Sequence, residues 1–170
     1  TTNHSTMLDH PAYGVHTRMA GELFDLPKHF RTALTGPHRT GKTSMAKAYS
    51  DLTETPYRSG SATEILKEGG IDSSATYSRN FGVRLKAQRH YLERLDCIWD
   101  SIRGGFVTDR SPLCLATYTL ADITGETQMT ADEHKEVIQY INDCKALTLK
   151  HFNTLVLVPM NPAIELVPAE

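Results

Sequence analysis

Residues 36–43 read Gly-Pro-His-Arg-Thr-Gly-Lys-Thr, a complete G-x-x-x-x-G-K-[ST] pattern. Its two glycines allow the main chain to bend so that backbone N–H groups point inward around a phosphate. A β-prone run at residues 30–34 precedes the pattern, and a helix-compatible run at residues 44–52 follows it. Because a phosphate-binding loop requires this order of strand, loop and helix, the pattern predicts an α/β fold around a nucleotide site.

The loop also predicts the ligands. Lys42 is placed to reach the β- and γ-phosphates of ATP, and the hydroxyl of Thr43 is placed to bind Mg²⁺. The other loop residues supply main-chain donors around the phosphates. The residues expected to contact the nucleotide are Gly36, Pro37, His38, Arg39, Thr40, Gly41, Lys42, Thr43 and Ser44.

Composition limits the class of protein. The chain has 170 residues, 39% apolar and 22% charged, which suits one globular domain with its own core. No apolar run approaches the roughly 18 residues needed to span a bilayer, and the N-terminus lacks a signal-peptide core. We therefore expect a cytoplasmic protein without a membrane partner. The three cysteines lack metal-ligand spacing and are expected to be reduced, mostly buried thiols.

Residues 1–28 are expected to be an extension ahead of one domain at residues 29–170. Three histidines in the extension, His4, His10 and His16, lie six residues apart without a partner at ligand spacing. We expect solvated side chains there rather than metal ligands.

The segment after the loop predicts a helix, a strand and a second helix. Residues 55–58 are β-prone, and residues 62–68 favour a helix that ends at two glycines. Arg58 and Glu64 are then expected where loops at the strand ends face the nucleotide and its acceptor. The face of the first helix expected to pack on the core carries Met45, Ala48, Tyr49 and Leu52.

The longest helical signal runs from about residue 75 to residue 102. Gln88 interrupts its apolar stripe, and Arg84 lies on the same side one turn earlier. A buried amide needs a hydrogen-bond partner, which is either a backbone group in the core or a bound ligand. The helix alone leaves these two interpretations of Gln88 open. The apolar stripe consists of Leu85, Leu92, Leu95, Trp99 and Ile102.

A second chemical site follows a short apolar run of Phe, Val and Thr. The run occupies residues 106–108, and Asp109 and Arg110 follow it directly. Ligands of an open parallel sheet bind at the carboxyl ends of the strands, so we expect Asp109 beside Lys42. A phosphate loop needs an acidic partner for its metal, which makes Asp109 a candidate Mg²⁺ ligand with Thr43.

The last third of the chain predicts a capped helix and a buried strand. Thr130 and Glu133 form a capping box. Residues 154–158 are typical of a central parallel strand that is buried on both faces. Alternating strands and helices therefore predict a three-layer α/β domain with right-handed crossovers. The apolar face of the capped helix carries Val137, Ile138, Ile141, Cys144, Leu147 and Phe152.

The phosphate loop, the Asp-Arg-Ser-Pro strand end and the glutamine-bearing helix resemble the P-loop nucleoside and nucleotide kinases, including bacteriophage members, over roughly residues 29–160. The resemblance implies strand order 2-3-1-4-5 and Mg²⁺-dependent phosphoryl transfer from ATP to a nucleoside or nucleotide. It implies Lys42 on the phosphates and Arg110 on a phosphate of donor or acceptor. In deoxynucleoside kinases a Gln on the corresponding helix reads the acceptor base, which assigns Gln88, with Arg84 beside it, to the acceptor.

The chain departs from these kinases in two ways. They follow the fourth strand with an arginine-bearing lid and a fifth strand, but residues 160–170 contain no Lys or Arg. We therefore expect the lid and last strand to be absent or truncated, or the lid to be replaced by Arg39 and the basic helix. Deoxynucleoside kinases also place a catalytic carboxylate after the second strand, where this chain offers only Glu64 or Asp72. Asp109 is then the better candidate for the general base.

Two alternative functions stay open. A bacteriophage relative phosphorylates 5-hydroxymethyluracil within DNA, and a P-loop ATPase coupled to a protein partner would use the same loop. The net charge of −2, the pI of 6.4 and the single polar break in the stripe favour a free nucleoside or nucleotide over DNA. The basic residues that would suit a nucleic-acid groove are Arg79, Arg84, Lys86, Arg89 and Arg94.

Overall fold

The computed structural model describes residues 30–78, 80–123 and 129–160. Within these ranges four parallel strands form one sheet in the order β2-β3-β1-β4. The strands are β1 (Arg31–Thr35), β2 (Tyr57–Arg58), β3 (Phe106–Thr108) and β4 (Thr154–Leu157). The helices are α1 (Lys42–Thr53), α2 (Ala62–Glu68), α3 (Phe81–Ser101), α4 (Pro112–Ala121) and α5 (Ala131–His151), with a 3₁₀ turn at Ser73–Tyr77.

The strand order brings the ends of separate segments together. Because β1 pairs in parallel with both β3 and β4, and β2 pairs in parallel with β3, the carboxyl ends of the strands share one edge. Gly36, Ser59 and Asp109 leave the sheet at that edge. The order agrees with the first four positions of the expected 2-3-1-4-5. The expected extension at residues 1–28 lies outside the described ranges, as do residues 161–170, so the predicted absence or truncation of the lid and fifth strand stays a prediction.

Two apolar cores lie on opposite faces of the sheet. Successive residues of β3 point to opposite faces, so Phe106 enters the larger core under α2–α5 and Val107 enters the smaller core under α1. The buried leucines of α3 are Leu85, Leu92 and Leu95. Burial of each of these leucine side chains stabilises the fold by about 1.5–3 kcal/mol. The fold is therefore the predicted three-layer α/β fold of the P-loop NTPase type.

The buried face of α1 differs from the prediction. Met45 and Leu52 are 47% and 71% exposed, whereas Ala46 is fully buried against Leu34 and Val107. The phosphate loop sets the rotation of the helix, because Lys42 must start the first turn facing the strand ends. That rotation brings the small Ala46 onto the sheet and turns the larger apolar side chains outward.

The last strand also differs from the prediction. In the described part of the chain β4 pairs only with β1 and is an edge strand. Its alternate residues Leu155 and Leu157 are 41% and 71% exposed, so β4 is not buried on both faces. Similarly, Ile138 of α5 is exposed, and Tyr140 takes a place in the core instead. The apolar run predicted the strand correctly but not its position in the sheet.

Caps set the helix boundaries. The long helix begins at Phe81 rather than near residue 75, because the Asn80 side chain accepts a hydrogen bond from Val83 N at 3.1 Å. The predicted capping box of α5 is confirmed at Thr130, and Ser111 caps α4 directly before Pro112. None of the helices in the described ranges is long and apolar enough to cross a membrane.

Candidate active site

The loop between β1 and α1 has a backbone conformation that requires glycine at two positions. Gly36 has φ of 148°, and a Cβ atom there would lie 2.2 Å from the carbonyl oxygen of Val158. Val158 N also donates a hydrogen bond to Thr35 O at 2.8 Å. The end of β4 thus holds the start of the loop closely against the sheet. Gly41, with φ of 82°, is the N-cap of α1, so the loop opens directly onto a helix N-terminus that favours anions.

Lys42 is buried beneath this loop. Its Nζ donates to the carbonyl oxygen of Pro37 within the loop. Burial and the charge of Arg110 lower its pKa, although Cys114 and Asp109 oppose part of this effect. An anion within the loop would offset the cost of this buried charge. The buried ammonium of Lys42 therefore lies beneath the loop, where a bound anion would stabilise it.

Asp109, directly after β3, connects the first turn of α1 with the segment that follows β2 through two hydrogen bonds. Thr43 Oγ1 donates to Asp109 Oδ2 at 2.5 Å, and Gly60 N donates to Asp109 Oδ1 at 3.1 Å. Gly60 is itself held by Tyr91, whose hydroxyl donates to Gly60 O. A Cβ at Gly60 would lie 2.6 Å from Arg110 Cβ, so only glycine allows this close approach. As expected, Asp109 lies beside the loop, although 66 residues separate it from Thr43.

The Thr43 and Asp109 oxygens fit a magnesium site. Hydroxyl and carboxylate oxygens are the ligands that Mg²⁺ prefers, and Mg²⁺ usually keeps several waters beside one or two protein ligands. Both side chains lie at the rim of a cavity of about 350 Å³. The cavity is lined by His38, Arg39, Gly41, Lys42, Thr43, Asp109 and Arg110. Four of these seven residues carry or can carry positive charge, which suits a triphosphate.

A second cavity of about 210 Å³ lies beside the first and is bounded by α3 and α4. Gln88 is only 8% exposed, and its Oε1 has no hydrogen-bond partner among the described residues. A buried amide oxygen without a partner is costly unless a ligand or water completes it. The cavity is lined by His38, Ala62, Thr76, Gln88, Tyr91, Arg110, Leu115, Tyr118, Ala121 and Asp122.

His38 and Arg110 line both cavities, so the two sites meet at these side chains. The His38 imidazole stacks on the Tyr118 ring with centroids 4.3 Å apart and planes 11° apart. Tyr118 donates to Gly36 O at 3.3 Å, and the Arg110 guanidinium lies 5.8 Å from the centre of its ring. Burial and the charges of Arg110, Lys42 and Arg39 lower the pKa of His38, which keeps it neutral at neutral pH.

The structure brings together some of the predicted acceptor residues but not all. Arg84 does not line the second cavity, and its Nε lies 3.5 Å from Asp122 Oδ2. Arg58 and Glu64 are exposed and line neither cavity. Glu64 instead accepts a hydrogen bond from Ser59 Oγ at 3.3 Å. Arg58 and Glu64 therefore line neither of the two cavities, and their contact with an acceptor stays a prediction.

The basic residues of α3 face acidic partners. Lys86 is exposed, and Arg79 lies outside the described ranges. Paired charges offer less to a nucleic-acid backbone than the sequence alone suggested. The pairs are Arg84 with Asp122 at 3.5 Å, Arg89 with Asp143 at 3.2 Å and Arg94 with Glu68 at 4.0 Å.

Several site residues were missed by sequence reasoning. Tyr91 lies three residues after Gln88 on the same helical face, and this spacing was a usable signal. Tyr57 of β2 lies near Asp109, and burial together with that carboxylate raises its pKa to about 12. Tyr118 and Gly60 had no comparable signal, because their roles depend on contacts between separate elements.

Comparisons with known proteins give little beyond this geometry. No protein-family model matches the sequence, and no curated protein matches it. A search of solved structures finds the crystal structure of shikimate kinase from Aquifex aeolicus, with a TM-score of 0.41 and 12% sequence identity. The match covers 78% of this chain and 89% of that chain. A likeness this low shows nothing about function.

Proposed function

We propose that this chain is an ATP- and Mg²⁺-dependent kinase that phosphorylates a nucleoside or nucleotide, with residues 29–170 as its kinase domain in the cytoplasm. The observation that carries the proposal is the pair of adjoining cavities that share His38 and Arg110. A hydrolase needs a phosphate site and a water. A kinase needs, in addition, an enclosed acceptor site that opens onto the transferred phosphate, and the 210 Å³ cavity supplies such a space.

The donor cavity supplies charge and orientation. Lys42 and Arg110 would neutralise the oxygens of the transferred phosphate, and the loop N–H groups would hold the chain of phosphates. Thr43 and Asp109 would hold Mg²⁺, which neutralises charge on the phosphate oxygens when bound. In phosphoryl transfer most of the catalysis comes from positioning and charge, and these residues provide both.

The acceptor cavity favours a flat ligand with polar edges. Gln88 offers an unpartnered amide oxygen, and its amide group also provides two N–H donors. A nucleobase has donors and acceptors side by side on one edge, which suits an amide. The tyrosines Tyr91 and Tyr118, with Leu115, add apolar surface around it. A nucleoside or nucleotide is therefore the acceptor class that these groups fit.

The test is an acceptor screen with ATP labelled on the γ-phosphate. We expect label to appear on a free nucleoside or nucleoside monophosphate, and to depend on Mg²⁺. Hydrolysis of ATP that no acceptor diverts into product would instead indicate an ATPase coupled to a partner. Label that appears only on DNA containing a modified pyrimidine, with a rate that falls steeply with salt, would indicate the DNA kinase alternative.

A further inference from the structure

We infer that His38 is the general base of the proposed kinase and that the acceptor group is a hydroxyl. The inference rests on the proposed function. It differs from the sequence expectation, in which Asp109 was the better candidate for this role. The geometry around three groups, Asp109, Arg110 and His38, carries the argument.

Asp109 is already engaged in holding the site together. One carboxylate oxygen accepts from Thr43 Oγ1 at 2.5 Å, and the other accepts from Gly60 N at 3.1 Å. It also lines the phosphate cavity only, not the cavity that contains Gln88. A base must reach the proton of the acceptor, within about 2.6–3.2 Å or through one water. Asp109 lies on the metal side of the site and serves the metal there.

Only two residues line both cavities, among those that the structure describes. Arg110 is one, but a guanidinium stays protonated and accepts no proton. His38 is the other, and an imidazole does accept one. Asp122 lines the acceptor cavity but not the phosphate cavity, and it faces Arg84. The phenols of Tyr91 and Tyr118 are proton donors at neutral pH. By position and by chemistry, His38 is the group that can take the proton.

The surroundings of His38 keep it in the form a base needs. The charged and titratable groups around it are Lys42 and Arg39 of the loop, Arg110 after β3 and Tyr118 of α4. Its stack on Tyr118 holds the ring in one plane, and the hydrogen bond from Tyr118 to Gly36 O ties that stack to the loop. Burial and the charges of Arg110, Lys42 and Arg39 lower the pKa of His38 from its usual value, which favours the neutral imidazole.

The reaction balances without another reactant. The acceptor oxygen forms a bond to the γ-phosphorus of ATP as the bond from that phosphorus to the β,γ-bridging oxygen breaks, which releases ADP. The acceptor hydroxyl proton moves to the free nitrogen of His38 and then to water. A phosphate acceptor is already an anion at neutral pH and needs no base, so the assignment of His38 implies a hydroxyl acceptor.

The experiment compares wild type with His38→Gln and His38→Ala, and uses His134→Gln on the exposed start of α5 as the matched control. The probes are the four deoxynucleosides and their 5′-monophosphates with labelled ATP. We expect wild type to phosphorylate a nucleoside, with kcat/KM that falls at acid pH with an apparent pKa below 6.5. His38→Gln should lose about 10²–10⁴ in turnover and lose that acid limb, with a much smaller change in ATP binding. Added imidazole should restore part of the rate of His38→Ala.

Three results separate the possible failures. Transfer by wild type to monophosphates alone would overturn the hydroxyl acceptor and leave the kinase standing. A His38→Gln variant that keeps turnover within about threefold, or keeps the acid limb, would overturn the base assignment. No transfer by wild type to any acceptor would overturn both this inference and the proposed function. An effect of His134→Gln equal to that of His38→Gln would also count against a local role.

Discussion

The two halves of the site are built in different ways. The donor half consists of the loop at residues 36–43 with Asp109, and most of it is one continuous segment between a strand and a helix. The acceptor half is the cavity around Gln88, and it is assembled from the loop, α2, α3, α4 and the 3₁₀ turn. A continuous segment has a geometry that its own residues determine. An assembled cavity depends on how helices rotate and pack.

The two halves also differ in whether their buried polar side chains have hydrogen-bond partners. In the donor half Lys42, Thr43 and Asp109 all have hydrogen-bond partners. In the acceptor half the amide oxygen of Gln88 has no partner in the described residues. The donor half is therefore held by its own contacts, whereas a ligand of the proposed kinase would complete the acceptor half. Substitutions in the two halves should give different kinetic signatures.

Among the variants that lie in one half alone, the largest expected effect is that of Lys42→Ala in the donor half. Loss of one fixed charge at the transferred phosphate should lower turnover by about 10²–10³, as for loss of a single preorganised donor elsewhere. Loss of the buried charge should offset part of the packing lost with the methylene stem of Lys42, so thermal unfolding should change little. Steady-state kinetics and a thermal melt of the same preparations measure both quantities.

The control for this variant is Lys145→Ala on the exposed surface of α5. It removes the same charge from the chain but lies outside both cavities. We expect wild-type turnover from it. Near-wild-type turnover by Lys42→Ala would mean that the loop is not a catalytic phosphate site, and the comparison of the two halves would fail with it.

The continuous donor half was easier to predict from the sequence than the assembled acceptor half. The residues of the loop and the Asp109 contact were predictable, because strand, loop and helix follow one another and parallel strands end at one edge. Gln88 was predictable as a polar break in an apolar stripe. The position of Arg58 and Glu64 was not, because the Gly60 turn depends on its contacts with Arg110 and Asp109.

The same physical reason explains the errors in the fold. The pattern on α1 predicted that the face with Met45 and Leu52 packs on the core. The spacing of apolar residues does not show that the loop fixes the rotation of the helix. The run in β4 predicted burial on both faces, but a run of apolar residues does not state which strands pair. Local signals were reliable for caps and for the loop. Rotation and pairing are set by contacts far apart in the chain.

A smaller effect is expected from Gln88→Ala in the acceptor half. If the amide pairs with an acceptor base, its loss should weaken acceptor binding by about 1–3 kcal/mol, because a polar edge of the ligand is left unpaired. ATP binding should hardly change, since Gln88 lines only the acceptor cavity. Acceptor KM and ATP affinity are measured separately. Equal losses in both would mean that Gln88 supports the structure of α3 and not the ligand.

The smallest effect on turnover is expected from Tyr91→Phe, which tests whether the two halves are independent. Burial raises the pKa of Tyr91, so its hydroxyl stays protonated and donates to Gly60 O, while Gly60 N donates to Asp109. Removal of the hydroxyl leaves a buried carbonyl unpaired and should cost about 1–3 kcal/mol in the free energy of unfolding. It should also loosen Asp109.

The informative measurement on Tyr91→Phe is the Mg²⁺ concentration needed for half-maximal turnover. We expect it to rise by a few fold, in the same direction as for Asp109→Asn but less, since outer contacts tune a metal site more weakly than its ligands. Tyr140→Phe is the control for loss of a buried hydroxyl away from the site, because Tyr140 is equally buried and lines neither cavity, and its hydroxyl has no hydrogen-bond partner in the described residues. It should leave the Mg²⁺ dependence unchanged. If Tyr91→Phe also leaves that dependence unchanged, the acceptor helix does not act on the metal side through Gly60, and the two halves are independent units that meet only at His38 and Arg110.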